Sequence, residues 1–419
     1  MHSLLAVDIG GIFSGLYEQM GFMNGDWQNY VMLLISFVLM YLAIVRKFEP
    51  LLLLPIAFGM FLINIPGASE QLWGTYPTDP ETGEIISNAY DDVENRGLLW
   101  YLYFGVDKVI YPPLIFLGIG AMTDFGPLIA NPKSMLIGAG AQLGIFIAFV
   151  LAILLGFSVA AAAAIAMIGG ADGPTAIYVT KILSESYLPA IAIAAYSYMA
   201  LIPIIQKPLM RLLTTKKERV IKMEQLRTVS KLEKVLFPLI VTLVVGIILP
   251  SAIALLGMLM LGNLFRESGV VERLSSQVQN GLMNTITVFL GISVGCKATG
   301  EMFLALSTLE IIGLGLLSFV FGTIGGLLIA KLMCKLTKGK INPLIGSAGV
   351  SAVPMAARIS EDVGREYDPQ NHLLMHAMGP NVAGVIASAI AAGFLLACFT
   401  AFADVGTVSA ALEAVGAVA

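Results

Sequence analysis

The sequence predicts an all-helical protein that crosses a lipid bilayer many times. Hydrophobic residues make up 57% of the 419 residues and charged residues only 12%, about half the charged fraction of an ordinary soluble domain. Stretches without any charge recur, such as 135–159 and 235–265, and each exceeds the roughly 20 residues that a helix needs to cross the hydrocarbon. Membrane strands would instead alternate polar and apolar residues, a pattern that the sequence lacks. We expect about 9–11 spans.

The apolar stretches set the positions of these spans. We place them at 30–45, 50–65, 112–130, 134–156, 158–182, 187–205, 235–262, 280–298, 303–332, 341–360 and 371–400. Glycine, proline and polar residues interrupt several of them. We expect these breaks to form the functional site, because irregular backbone at membrane depth is tolerated only where it lines a cavity or is packed in protein.

The distribution of charge orients the chain. Nine basic residues lie between Lys207 and Lys234, and the positive-inside rule places such a loop in the cytoplasm. A nucleic-acid surface is the less favoured interpretation of this stretch. The loop at 66–111 is acidic and aromatic and is expected to face outward, which puts the N-terminus outside.

These features divide the chain into five segments. They are an N-terminal interfacial helix with two spans (1–65), the acidic outward-facing loop (66–111), a first repeat (112–206), the basic cytoplasmic loop (207–234) and a second repeat (235–419). The first 25 residues lack the basic start of a cleaved signal, so we expect a short amphipathic helix on the membrane surface there. The three cysteines lack the spacing of a disulfide framework or a zinc site.

Two landmarks recur about fifty residues apart in each half of the chain. The segment 115–120 matches 288–293, and 168–175 matches 345–351. The two matches have nearly the same offset, 173 residues for the first and 177 for the second. Chance similarity among glycine-rich membrane helices is the alternative, but two matches nearly in register favour an internal duplication. With an odd number of spans in each half, the repeats have the inverted topology common in secondary transporters.

The breaks at 169–175 and 346–354 are the candidate sites, because a broken helix is tolerated in a membrane only where it lines a cavity or is packed in protein. Asp172 is the only charged residue between 156 and 180, and a charge at that depth costs about 3 kcal/mol or more. The carboxylate, carbonyl and hydroxyl oxygens around it suit a hard cation, here Na⁺ or H⁺. A structural cap of the following half-helix is the alternative role.

The second break supplies oxygens without charge, from Asn342, Ser347 and Ser351. Arg358 follows Ser351 by two helical turns, which places it on nearly the same face. Its guanidinium is a candidate partner for Asp172 or for an anionic substrate that it would hold in bidentate fashion. An interfacial arginine that reaches to the lipid headgroups is the alternative with equal weight.

Three further polar residues lie near the C-terminal end. Asn381 follows a Gly-Pro step within an apolar run, where a cation ligand and a helix cap are both compatible with an amide. His372 and His376 have the i, i+4 spacing of metal ligands, but the sequence offers no third ligand, so an interfacial position is favoured. We therefore predict no transition-metal site.

Four long motifs resemble one protein family. They are Gly169–Tyr178 (GGADGPTAIY), Ala195–Pro203 (AYSYMALIP), Gly346–Arg358 (GSAGVSAVPMAAR) and His376–Gly384 (HAMGPNVAG). They look like the membrane β-subunit of sodium-pumping, biotin-dependent decarboxylases, which include the oxaloacetate, methylmalonyl-CoA and glutaconyl-CoA enzymes. The resemblance covers about 48–393. The loop at 66–111 departs from the oxaloacetate version, which inclines the resemblance towards an acyl-CoA or other relative.

The resemblance implies roles for individual residues. The catalytic residues that it implies are Asp172, Tyr198 and Arg358. Contacts to carboxybiotin fall on Arg358, Ser351 and Gly346. The Na⁺ ligands that it implies are Asp172, Asn342, Ser351 and Asn381.

The function that the resemblance implies is a decarboxylase coupled to a sodium pump. An α-subunit carboxyltransferase and a biotin carrier would present carboxybiotin, and a small single-span subunit of γ or δ type would accompany the chain. The β-subunit would then release CO₂ and export Na⁺ across the bacterial inner membrane, as a homo-oligomer and without nucleic acid. The alternative function is a secondary transporter coupled to Na⁺ or H⁺, with the same breaks and no decarboxylase chemistry.

Overall fold

The structure is a computed structural model that describes Tyr17, Met20, Gly21 and the ranges 25–47, 50–74 and 96–416. Within these ranges, the side chains of Glu70, 197–200 and 400–416 lie outside the description. Every regular element in the described ranges is helical, which confirms the all-helical prediction. The predicted N-terminal interfacial helix and most of the acidic loop lie outside the described residues.

Many short helices accompany a few long ones. In chain order the α-helices are α1 (Trp27–Ile44), α2 (Pro50–Ile63), α3 (Ala68–Trp73), α4 (Leu98–Asp107), α5 (Tyr111–Met122), α6 (Gly126–Ala130), α7 (Met135–Ala141), α8 (Leu143–Leu154), α9 (Val159–Ala166), α10 (Gly173–Leu183), α11 (Leu188–Leu213), α12 (Lys216–Arg219), α13 (Lys231–Ile248), α14 (Ile253–Ser268), α15 (Glu272–Gln277), α16 (Met283–Gly295), α17 (Gly300–Phe303), α18 (Leu306–Leu336), α19 (Met355–Tyr367) and α20 (Leu374–Gly416). Turns of 3₁₀ helix lie at Pro132–Ser134, Met167–Gly170, Glu185–Tyr187, Pro250–Ala252 and Pro343–Gly349, and a π-helical turn lies at Val278–Leu282. The 3₁₀ turns after α9 and after α18 coincide with the two predicted breaks.

The chain divides into two compact units. The first comprises 1–108 and 287–308, and the second comprises 109–286 and 309–419. In the first unit, α2 packs on α1. Lys297 lies over the rings of Trp73 and Tyr103, 4.3 and 4.5 Å from their centroids, which is the geometry of a cation–π contact. Both predicted breaks belong to the second unit.

Four of the described helical segments are long and apolar enough to cross a membrane. They are Trp27–Ile44, Pro132–Leu154, Leu306–Leu336 and Leu374–Phe399. The number rises to 6 if each of two bent helix pairs in the described ranges is one span. Other apolar helices are shorter, such as Val159–Gly170, so several predicted spans consist of short or broken helices. Broken helices are the form expected where the backbone lines a site at membrane depth.

Large apolar side chains cover the outer surface of these helices. Ile247 and Ile248 at the end of α13 are 74% and 76% exposed, and Leu154 of α8 is 75% exposed. Apolar exposure on this scale marks a surface that meets lipid or another chain. The protein is therefore a multi-pass membrane protein.

The two breaks rest directly on the backbones of other helices. α9, which leads into the first break, is alanine-rich and buried along residues 161–166, and small side chains let helices approach closely. A Cβ on Gly169 would lie 2.8 Å from the carbonyl carbon of Gly144 in α8. A Cβ on Gly346 would lie 2.5 Å from the carbonyl oxygen of Gly326 in α18. Side chains at these glycines would push the breaks out of position.

Arg219 holds the basic loop in place. Its side chain is 6% exposed and donates to Thr214 Oγ1 at 2.9 Å and to the Tyr367 hydroxyl at 2.6 Å. The same guanidinium donates to the carbonyl oxygens of Arg211 and Thr214. These acceptors compensate the cost of burying its charge.

Asn342, at the start of the second break, extends this network. Its Nδ2 donates to the carbonyl oxygens of Arg219 at 3.1 Å and Ile221 at 2.8 Å. Its Oδ1 accepts from the Leu344 N–H at 3.0 Å. Asn371, just before α20, also donates to the Arg219 carbonyl, at 2.9 Å. The basic loop, the second break and the start of α20 therefore form one hydrogen-bonded assembly.

We expect Arg219→Gln to loosen the basic loop, because the substitution leaves several buried acceptors without their donor. A hydrogen bond to a charged group contributes about 1.5–3 kcal/mol, so trypsin should cleave at Lys222 and Lys231 about tenfold faster or more. Mass spectrometry of the purified protein in detergent measures the cleavage rates. Arg211→Gln is the matched control, because its half-exposed pair with Glu366 belongs to a class that contributes at most about 1 kcal/mol. Unchanged cleavage of Arg219→Gln would contradict the anchoring role.

Candidate functional site

The residues of the first break end α9 and begin α10. After α9 the chain makes the 3₁₀ turn Met167–Gly170, and Ala171 then adopts a left-handed conformation with φ of 54°. Asp172 is the N-cap of α10, and its Oδ1 accepts from the Thr175 N–H at 3.4 Å. Pro174 lies in the first turn of α10, where a missing N–H has little cost. The carboxylate thus lies at a helix N-terminus, whose partial positive charge favours an anion.

The carboxylate of Asp172 is buried. The residue is 5% exposed, and the hydroxyl of Ser388, in α20, donates to its Oδ2 at 2.7 Å. Among the described residues, no lysine or arginine forms an ion pair with this carboxylate. The same part of the chain contains no group of three or more His, Cys, Asp or Glu residues that could hold a metal ion. Hydrogen bonds and a helix N-terminus therefore stabilise an ionised Asp172, but no basic side chain among the described residues does.

The second break forms hydrogen bonds to the first at the carbonyl oxygen of Gly170. Ser351 follows the 3₁₀ turn Pro343–Gly349, and both its backbone N–H and its hydroxyl donate to the carbonyl oxygen of Gly170, at 3.2 and 2.6 Å. Gly170 lies two residues before Asp172. The contact therefore places the second break directly beside the carboxylate-bearing turn.

Asn381 of α20 holds the second break from the other side. Its Nδ2 donates to the carbonyl oxygens of Val350 at 2.7 Å and Ala348 at 3.0 Å. Its Oδ1 is buried without a hydrogen-bond partner among the described residues, and the hydroxyl of Thr175 lies beside the carboxylate of Asp172. Asn381 and Ser388 are seven residues apart in α20, so two helical turns place them on nearly the same face. One helix therefore contacts both breaks.

The other second-break residues have packing or positioning contacts. Gly346 lies against α18, as described above, and the Ser347 carbonyl accepts from Gln206 Nε2 of α11 at 2.8 Å. The hydroxyl of Ser347 lies 2.9 Å from that of Ser360 in α19. Tyr198 also belongs to α11, but its side chain lies outside the described residues. The second break is thus fixed by α11, α18, α19 and α20 together.

Arg358 lies in the first turns of α19 and is exposed. It forms no ion pair with Asp172. Further along the same helix, Glu366 pairs with Arg211 at 2.6 Å, and Asp362 lies 3.8 Å from Lys207. α19 therefore lies beside the basic loop, and Arg358 is accessible to a molecule that approaches α19.

The structure brings some of the predicted site residues together and separates others. Contacts link Asp172 with Ser351 and Asn381 through the Gly170 carbonyl and the second break. The side chain of Asn342 instead bonds to the basic loop through Nδ2 and to its own turn through Oδ1. Sequence reasoning missed Ser388, because a single serine among alanines and glycines is ordinary in a membrane helix. Only its 2.7 Å contact with Asp172 reveals its place in the site.

Comparison with known proteins agrees with these motifs. Residues 28–399 match the model of the Na⁺-transporting oxaloacetate decarboxylase beta subunit family. The chain is 56% identical to the methylmalonyl-CoA decarboxylase subunit beta of Propionigenium modestum, over 91% of this chain and 98% of that protein. It is 54% identical to the glutaconyl-CoA decarboxylase subunit beta of Acidaminococcus fermentans, over 92% and 96%, and 52% identical to the oxaloacetate decarboxylase beta chain 2 of Salmonella typhi, over 91% and 98%. The chain therefore belongs to the family of Na⁺-transporting oxaloacetate decarboxylase β-subunits.

Proposed function

We propose that this chain decarboxylates carboxybiotin, which a carrier subunit presents to it, and couples the reaction to Na⁺ export. The observation that carries the proposal is the buried carboxylate of Asp172, which pairs with no lysine or arginine among the described residues. The relatives add a second argument, because proteins more than 50% identical to this chain are named for three different acids. Such similar β-subunits would share a step that does not depend on the acid. That step comes after the acid has transferred its carboxyl group to the biotin carrier.

The Na⁺ site in this proposal consists of oxygens around Asp172. Carboxylate, hydroxyl and amide oxygens are the ligands that hard cations prefer. The ligand set comprises Asp172, Ser351, Asn381, Thr175 and Ser388. The Ser351 and Ser388 hydroxyls each donate one hydrogen bond, and their lone pairs remain available to a cation. We assign Asn342 a positioning role, since its amide groups are used by the basic loop and by its own turn.

Carboxybiotin would arrive from the cytoplasm, because its carrier is soluble. Arg358 is the candidate partner for its carboxylate, since a guanidinium binds a carboxylate through two parallel hydrogen bonds, and Gly346 and Ser351 belong to the break that α19 follows. When CO₂ leaves, the electron pair of the broken C–N bond stays on the ureido nitrogen. That nitrogen must then take up a proton, and Tyr198 of α11 is the proposed relay for a proton drawn from outside.

Coupling follows from the charge of Asp172. Na⁺ would neutralise the carboxylate, and the neutral core could then move so that the site opens outward, as in alternating access by repeats of inverted topology. Moving one elementary charge out against 100 mV costs about 2.3 kcal/mol. Decarboxylation supplies this free energy only if the outward-open site cannot return to its inward-open state before it has released its Na⁺. The two breaks that meet at Gly170 are the elements that would move together.

The test of the proposal measures CO₂ release and Na⁺ uptake together. The purified chain is placed in liposomes, and carboxylated biotin carrier is added on the side of the basic loop. We expect Na⁺-dependent CO₂ release with matching Na⁺ uptake, and a loss of both by about 100-fold or more in Asp172→Asn, because the amide lacks the charge that binds the ion. The control is Asp362→Asn, whose side chain is 60% exposed. Na⁺ movement without any effect on carboxybiotin would contradict the proposal and favour a secondary transporter.

A second prediction concerns Ser388. Ser388→Ala removes a buried hydrogen bond to the carboxylate and one candidate ligand, and hydrogen bonds to charged groups contribute about 1.5–3 kcal/mol. We therefore expect the Na⁺ concentration for half-maximal CO₂ release to rise about 10- to 100-fold. Ser318→Ala is the matched control, because that buried hydroxyl donates to the Gly315 carbonyl of its own helix. An unchanged Na⁺ dependence in Ser388→Ala would exclude Ser388 from the ion site.

A further inference from the structure

A cavity of about 640 Å³ opens beside the basic loop. None of the described residues that have a role in the proposed function is among those that line it. Residues 223 and 225–229 of the basic loop line it, together with residues of α6, α19 and the start of α20. Its volume lies in the range of about 300–1,000 Å³ that small-molecule sites occupy. Glu361 lines the cavity and lies one helical turn after Arg358, so the two share a face of α19. Arg358, the proposed partner of the substrate carboxylate, is therefore one helical turn away from a residue of the cavity wall.

Nearly all the charged groups that line this cavity already have partners. Asp124 lies 3.4 Å from Lys234, and His372 lies 3.3 Å from Glu361. Arg227 pairs at 2.7 Å with Glu233, and this contact lowers the pKa of Glu233 to about 2. The Glu361 carboxylate also accepts from the backbone N–H groups of Leu373 and Leu374. These pairs are structural contacts of the cavity wall.

Among the described titratable groups that line the cavity, His376 is the one whose ring has no such partner. It lies in the first turn of α20, and its Nδ1 is buried with no hydrogen-bond partner in the part of the chain that the structure describes. A buried N–H without an acceptor, or a buried charge, costs more than a bare ring nitrogen. The ring is therefore neutral, with its proton on Nε2, because a neutral imidazole carries one donor and one acceptor nitrogen. Since His376 lines the cavity, Nε2–H is the donor that it offers to a ligand.

We propose that this cavity receives the bicyclic head of carboxybiotin and that His376 Nε2–H donates a hydrogen bond to its ureido oxygen. This inference rests on the proposed function. When the bond between the carboxyl carbon and the ureido nitrogen breaks, CO₂ leaves and the electron pair spreads from the nitrogen onto that oxygen. A donor already in place stabilises the developing charge, as oxyanion-hole donors do. The proton that later adds to the nitrogen comes from the relay of the proposed function, so His376 gives none up.

The position of His376 also fits the coupling. His376 and Ser388 belong to one continuous helix, α20, and are twelve residues apart, about 18 Å along its axis. Asn381, which holds the second break, lies between them. One helix thus extends from the decarboxylation cavity, past the second break, to the carboxylate of Asp172. A change at the reacting head would reach the ion site through that helix.

Two substitutions of His376 test the hydrogen bond. His376→Leu removes the donor and should lower kcat for CO₂ release about 10²- to 10³-fold. His376→Gln keeps an amide N–H near the position of Nε2 and should stay within about tenfold of the wild type. Binding of radioactive Na⁺ to each purified variant should match the wild type, which shows that the ion site is intact. A general acid would be lost in both variants, so equal losses in Leu and Gln would overturn the proposal, as would a wild-type rate in His376→Leu.

A second pair of variants tests the location. Ala130→Phe, at the end of α6, fills part of the cavity and should raise KM for the carboxylated carrier about tenfold or more. Ala160→Phe is the control, because Ala160 is equally half-buried but lies at the start of α9, away from the cavity. Equal KM values in the two variants would overturn the assignment of the cavity, while Na⁺-dependent CO₂ release by the wild type would still support the proposed function. Failure of the wild type itself to release CO₂ would overturn both.

Discussion

The arrangement of the candidate site depends on the hydrogen bonds between Ser351 and the carbonyl oxygen of Gly170. This oxygen accepts both the N–H and the hydroxyl of Ser351, so two segments of irregular backbone satisfy each other where water would otherwise be needed. α20 closes the arrangement, because Asn381 holds the second break and Ser388 holds the carboxylate of the first. The result is a closed chain of hydrogen bonds through both breaks and one helix, with Asp172 inside it.

Packing explains why this arrangement keeps its shape. Each break rests on the backbone of a neighbouring helix at a glycine, Gly144 in one case and Gly326 in the other, so neither break can shift without moving that helix. On the other side, Arg219 and Asn342 bind the second break to the basic loop. The proposed ion site is thus connected through hydrogen bonds to the basic loop, the surface that would meet a carrier protein in the proposed function, and such a connection is the physical requirement for coupling chemistry to transport.

Much of this organisation is predictable from sequence, for identifiable reasons. A single charge in an apolar run identifies Asp172, and the glycines that open the backbone identify both breaks. The contacts of Asn342 are not predictable, because its partners Arg219 and Ile221 lie more than a hundred residues earlier in the chain and no local sequence pattern indicates such a contact. Ser388 is hidden for a similar reason, and the predicted span at 341–360 consists in the structure of a 3₁₀ turn followed by α19. Tertiary contacts, rather than local pattern, decide these features.

The central claim of this account is that the carboxylate of Asp172, which pairs with no lysine or arginine among the described residues, binds Na⁺. The most direct measurement is equilibrium binding of radioactive Na⁺ to the purified chain in detergent, without carrier or substrate, in the wild type, Asp172→Asn and Asp362→Asn. The account predicts saturable binding in the wild type and in Asp362→Asn, and none in Asp172→Asn. Saturable binding of equal affinity in Asp172→Asn would contradict it, because the ion would then be held by oxygens elsewhere in the chain.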